Sequence, residues 1–209
     1  MRVNPIQPQV QQIQEIDKHM ICVVDRSSSM QGSKTTAADI FVLKSFQTAK
    51  EEGFKTFTVV EFSTRATKSK TWHTNEVFNW YAEHTGGCTP LYFTLAEYLP
   101  KYLKLKGKVL VNVISDGENT EGGVEKGRKS IQDFIASEQT LTFICTESDA
   151  KNFIDFGIPE TNIQTYNNTG EGLAQTYEVF RGAVQNYSKL VSLGQDVTRG
   201  FYSKTIKTN

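Results

Sequence analysis

Short, nearly unbroken apolar runs recur along this chain, separated by longer segments whose apolar residues return every three or four positions. Five of the runs predict buried strands: His19–Asp25, Lys55–Ser63, Lys108–Ser115, Thr140–Thr146 and Asn162–Tyr166. Runs such as Val109-Leu110-Val111-Asn112-Val113-Ile114 lack the in-out alternation of a half-exposed sheet, so both faces should be covered. Residues Thr64–Thr74 alternate only weakly and carry three Lys or Arg, which fits a short edge strand, where charge discourages aggregation.

The intervening segments have helical spacing. Lys34 to Glu52 puts Ala38, Phe41, Val42, Phe46 and Ala49 on one face and meets Gly53. Pro90 to Lys104 carries Leu91, Leu95, Tyr98, Leu99, Tyr102 and Leu103, although Pro100 should bend or shorten it. Glu125 to Ser137 is a third helix. Gly172 to Leu193 is a fourth, striped by Leu173, Tyr177, Phe180, Val184, Tyr187 and Val191 and ended by Gly194. Strands alternating with helices predict an α/β fold, a Rossmann-like three-layer sandwich. Its six-stranded sheet should be mostly parallel, with one short antiparallel edge strand and helices on both faces. No repeat or composition break divides the chain, and residues after Gln195 look like a loose polar tail.

At 209 residues the chain can bury a sizeable core without staples. Lys plus Arg and Asp plus Glu balance at 23 each, which speaks against nucleic acid or an anionic membrane as partner. Cys22, Cys88 and Cys145 are odd in number and widely spaced, two of them inside apolar runs, so reduced core thiols are expected rather than disulfides or a CxxC metal site. Residues 1–18 are rich in Gln and Pro without the apolar core of a signal peptide, and no run approaches a membrane span. A cytoplasmic location is expected.

The chemistry gathers at the carboxyl ends of the strands, where open parallel sheets keep their ligand sites. Asp25-Arg26-Ser27-Ser28-Ser29 follows the first strand, Thr85-Gly86-Gly87-Cys88-Thr89-Pro90 opens a helix, and Ile114-Ser115-Asp116-Gly117-Glu118 follows the Val109–Ile114 strand. Each has an ordinary explanation. Asp116-Gly117 is a turn dipeptide, Thr89 before Pro90 resembles a helix cap, and Ser27 and Ser29 are turn formers. Two Asp and three hydroxyls on one sheet edge nevertheless suit a hard cation that prefers oxygen ligands.

Asp25-x-Ser27-x-Ser29-Met30, with Thr89 in Gly-Gly-x-Thr-Pro-Leu and Asp116 in Ser-Asp-Gly, resembles the von Willebrand factor A (VWA) domain. More narrowly, it resembles the metal-ion-dependent adhesion site (MIDAS) of that family. The resemblance spans roughly His19 to Leu193, dividing the chain into an N-terminal extension (1–18), a VWA-like domain (19–194) and a C-terminal tail (195–209). It implies that Ser27 and Ser29 ligate the metal through their hydroxyls and that Thr89 does so in the ligand-competent state. Asp25 and Asp116 then hold the waters completing the shell. The implied cofactor is Mg²⁺, with Mn²⁺ or Ca²⁺ as alternatives, and the implied partner is a protein offering an Asp or Glu carboxylate. The mechanism is binding rather than catalysis. With no signal peptide, the resemblance favours a small intracellular member of bacterial or bacteriophage type.

Other readings are weaker. Asp25 behind a buried strand resembles the nucleophile of aspartyl-phosphate hydrolases, but Ser27 stands where a second Asp belongs and no Lys is an evident partner for a phosphoryl group. A metal-indifferent structural or assembly component is the other alternative. His19, His73 and His84 lack ligand spacing, and a Cys88–His84 nucleophile is broken by the intervening glycines. Trp72, Phe78, Trp80 and Tyr81 are expected to pack a short helix, or else to form a rim beside the metal with Arg26, Gln31, Glu118 and Asn119.

Overall fold

In the computed structural model, which describes residues 16–64, 67–83, 86–116 and 119–203, the run Met20–Val24 is the centre of strand β1 (Lys18–Asp25). Its side chains alternate between two fully buried faces. Met20, Cys22 and Val24 enter one core, and Ile21 and Val23 enter the other. Strands β2 (Thr56–Phe62), β4 (Lys108–Ile114), β5 (Thr140–Thr146) and β6 (Ile163–Tyr166) join it in parallel, while β3 (Thr67–His73) pairs antiparallel with β2 at the edge. The order is β3-β2-β1-β4-β5-β6. The expected six-stranded, mostly parallel sheet with one antiparallel edge strand is present.

Helices α1 (Ser33–Glu51) and α5 (Gly170–Ser192) cover one face and pack on each other; α2 (Leu91–Tyr102) and α3 (Val124–Ala136) cover the other. Every apolar position assigned above to α1 and α5 is buried. Helix α2 is shorter than expected at both ends, with Pro100 in its last turn. Helix α4 (Glu147–Asp155) was not anticipated. It is short, and Phe153 is its one buried large apolar side chain, so no stripe marks it.

Two expectations about the ends are corrected. Asn162 is not in β6. Its buried amide donates to the carbonyls of Leu141 (3.1 Å) and Thr198 (2.8 Å), and its Oδ1 accepts from the Phe201 amide (3.1 Å). Residues 195–203 are therefore not a loose tail, because Val197 and Phe201 are buried in the α1/α5 core. Two apolar residues among polar ones give no periodic signal. Residues 1–15 and 204–209, on which parts of the terminal assignments fall, lie outside the described residues.

The base of β1 carries a titration. The buried His19 ring accepts at Nδ1 from Thr56 Oγ1 (2.7 Å) and donates from Nε2 to the Lys106 carbonyl (3.0 Å). Burial lowers its pKa from the ordinary 6.5, against the opposing pull of the Lys106 carbonyl and Asp17. The unfolded chain then takes up the proton first as pH falls. This stabilising contribution is full above the unfolded pKa and is lost as pH falls through the lower folded value. Urea unfolding should show wild type losing more stability between pH 7 and 5 than His19→Gln. Equal losses would contradict the assignment.

Candidate functional site

The strand order reverses between β1 and β4, the place where such sheets open a crevice at their carboxyl ends. Asp25 ends β1, and Ser115-Asp116 follow β4 directly. Beyond Asp25 the chain makes a single 3₁₀ turn, Ser28–Met30, before Gly32 and α1, which folds Ser27 and Ser29 back over the strand ends.

The side chains form one connected network. Asp25 Oδ1 accepts from the Ser27 amide (2.7 Å), and its Oδ2 accepts from Ser115 Oγ (2.6 Å). Ser27 Oγ lies 2.9 Å from Ser29 Oγ, which donates to Asp116 Oδ1 (2.7 Å). Asp116 Oδ2 is ion-paired with Lys34 Nζ, and that ammonium also donates to Asn168 Oδ1 (2.9 Å) in the loop before α5. Asp25 is fully buried. Burial pushes its carboxyl up to about 6, opposed by the Ser115 and Ser27 hydrogen bonds and reinforced by the Asp116 charge.

Thr89 stands somewhat apart. Its buried backbone is clasped by Thr120, whose Oγ1 accepts from the Thr89 amide (2.9 Å) and whose amide donates to the Thr89 carbonyl (3.1 Å). It does not cap α2, whose cap position is Pro90. Nor does any hydrogen bond among the described residues join its hydroxyl to the serines. Its loop is nonetheless stitched to theirs. The Gly86 amide donates to the Arg26 carbonyl (3.1 Å), the Ser28 amide to the Gly87 carbonyl (2.8 Å), and the Gly87 amide to Ser28 Oγ (2.9 Å). Gly86 and Gly87 take φ of 64° and 96°, which only glycine adopts readily, so the double glycine is what lets the loops lie side by side.

Several sequence expectations need correction here. Arg26 is not on a rim. Its guanidinium is 2% exposed, with Nε donating to Glu61 Oε1 (2.7 Å) and Nη1 2.7 Å from Asp39 Oδ1 in a close ion pair. It also lies 5.6 Å from the centroid of the Trp80 ring. Asn119 bonds the Tyr92 amide and the Gly122 carbonyl. Gln31 is exposed as expected, whereas Glu118, Gly117, His84 and Thr85 lie outside the described residues. The aromatic segment packs on the core without forming a helix. Phe78 stacks on Phe46 (4.2 Å) and meets Trp72 edge-on (4.8 Å), while Tyr81 is 76% exposed. Cys22 and Cys145 are buried and Cys88 is exposed, none of them bonded to another cysteine.

Lys34, Ser115 and Asn168 were not singled out above. One signal for Lys34 was present: a cation in the first turn of a helix opposes the helix dipole and needs a local anion.

The donor set suits a small hard cation. Octahedral Mg²⁺–oxygen distances of about 2.1 Å place adjacent ligands about 3 Å apart, and the Ser27 and Ser29 oxygens are 2.9 Å apart. Among the described residues no cluster of three or more His, Cys, Asp or Glu side chains could hold a metal, so one bound here would depend mainly on hydroxyls and water.

No family model matches this sequence, and no relative is found among curated proteins. Solved structures do match in shape. Proximal thread matrix protein 1 of the mussel byssus, solved with zinc in its MIDAS motif, superposes with TM-score 0.60 at 16% identity, over 79% of this chain and 47% of that one. The ArnB paralogue VWA2 of Sulfolobus acidocaldarius gives 0.58 at 15%, over 79% and 45%. The fold is VWA-like. A PilB minor pilin variant from Streptococcus sanguinis gives 0.61 at 12%, over 92% of this chain and 65% of that one. Identities this low establish the VWA-like fold and nothing finer, and this chain spans about half the length of the mussel and archaeal proteins.

Proposed function

We propose that this protein is a metal-dependent protein-interaction module whose sheet edge holds Mg²⁺ and through it an acidic side chain of a partner protein. The observation that carries the reading is the Ser27–Ser29 hydroxyl pair, set at octahedral spacing and backed by two buried carboxylates. Ser27 and Ser29 would ligate the ion, Thr89 would join them on partner binding, and Asp25 and Asp116 would orient hydroxyls and waters. When bound, the cation supplies a Lewis-acidic position that neutral hydroxyls leave under-neutralised and a partner's carboxylate completes. Zinc in the MIDAS motif of the mussel neighbour supports a divalent ion as a ligand that this fold can hold.

Catalysis at Asp25 is disfavoured. A nucleophile must reach substrate, whereas this carboxylate is fully buried with both oxygens accepting hydrogen bonds.

Calorimetric titration of Mg²⁺ and Mn²⁺ into wild type and Ser27→Ala/Ser29→Ala, with and without excess acetate, tests the reading. Saturable binding is expected in wild type and at least tenfold weaker binding in the variant. Thermal melts in chelator establish that both are folded. No binding in folded wild type, even with acetate present, would rule out the metal-mediated mechanism.

A further inference from the structure

Lys34 is an unusual residue for its place. It sits in the first turn of α1, where the helix dipole disfavours a cation, and its side chain is only 15% exposed. Nothing in the packing of α1 requires a charge there, since the core face of that helix is built from Ala38, Phe41, Val42, Phe46 and Ala49. The ammonium turns instead to the candidate site. It pairs with Asp116 Oδ2, the oxygen opposite the one that Ser29 Oγ engages, and is steadied by Asn168 Oδ1 at 2.9 Å. The Asp116 side chain is itself fully buried, so the ion pair is little screened by water.

We propose that Lys34 is the resident counter-cation of this site, a tethered positive charge that balances Asp116 in the metal-free protein and must give way when a divalent ion enters. The inference rests on the metal-binding reading above and deepens it by assigning the residue that sets the affinity. A buried carboxylate without a cation destabilises the fold, and Lys34 relieves that. The same charge opposes a dication that would draw on the same carboxylate. Asn168 gives the displaced ammonium a second acceptor, so Lys34 can leave Asp116 without losing every partner. The site is thereby biased against filling at low metal concentration.

Lys34→Met keeps the aliphatic stem and removes the charge; Lys34→Arg keeps the charge. Mn²⁺ and Mg²⁺ titration by calorimetry in 0.15 M salt, together with melts in chelator, separates the outcomes. Lys34→Met is expected to bind metal at least tenfold more tightly than wild type, about 1.4 kcal/mol, while melting at lower temperature in chelator. Lys34→Arg is expected to stay within about threefold of wild type. Unchanged or weaker metal binding by a folded Lys34→Met protein would overturn this inference alone. Absence of binding in all three folded proteins, with excess acetate present as well as without it, would overturn the metal reading, and this inference with it.

Discussion

Arg26→Ala is expected to lower the unfolding free energy by about 3 kcal/mol, the usual cost of removing one partner from a buried ion pair. Arg26 lies between two residues of the candidate site, yet its side chain runs away from them to Glu61, Asp39 and the Trp80 ring. Glu61 is the vulnerable partner. Burial already raises its pKa against the pull of Arg26, so without the guanidinium it would be a poorly solvated anion. Adding Glu61→Gln to the variant should therefore restore at least about 1 kcal/mol. Acidification should narrow the deficit in the same way, because protonated Glu61 no longer needs its partner. Chemical denaturation of the three proteins at pH 7 checks this. A loss below about 1 kcal/mol in Arg26→Ala would mean that the network is not what anchors the loop. The main chain of Arg26 is held independently, with its amide bonded to the Phe62 carbonyl (2.8 Å) and its carbonyl to the Gly86 amide (3.1 Å). The loop should thus survive in outline while losing its fixed depth over the strand ends.

A pair of glycine substitutions in α5 should act in opposite directions. At Gly170 a Cβ would come within 2.5 Å of the Ser33 carbonyl oxygen, where the start of α5 presses on the start of α1. That contact is with main chain and cannot be relieved by a side-chain rotation. Gly170→Ala is expected to cost about 2 kcal/mol as overpacking. Gly182, in the same helix, has nothing within 4 Å of its Cβ position, and Gly182→Ala should add about 0.5–1 kcal/mol through the lower entropy of its unfolded chain. Thermal melts of both variants test this. A neutral Gly170→Ala would show that the two helix starts are not held as closely as described. Because Asn168 lies two residues earlier and meets Lys34, the Gly170 substitution should also disturb the counter-cation contact, which Gly182→Ala should leave alone.

Different kinds of signal made different parts of this protein legible. The strands were readable because burial on both faces demands continuous apolar runs, and the sheet core imposes that locally on Met20–Val24 and Val109–Ile114. Helices α1 and α5 were readable because a single wide face packs against that sheet, so their stripes keep the 3.6-residue period. Helix α4 escaped, as did the packing of Val197 and Phe201, because each contributes too few apolar residues to set up a period. Arg26 was misplaced for another reason. A charged residue in a polar loop looks solvated until Asp39, Glu61 and Trp80, from three other segments, are seen to enclose it.

The sequence by itself determined the VWA-like sheet with its two helical layers, and it delivered Asp25, Ser27, Ser29, Thr89 and Asp116 to one edge. The spacing of oxygen side chains along a strand end is a local property, and strand direction decides which edge receives it. The tertiary structure decided how those residues meet. It set Ser27 and Ser29 2.9 Å apart, turned Ser115 onto Asp25, kept the Thr89 hydroxyl apart from those serines among the described residues, and brought Lys34 onto Asp116, 82 residues away, and onto Asn168, 134 residues away. Such contacts depend on how long side chains from distant elements share one small volume. No local pattern along the chain encodes that.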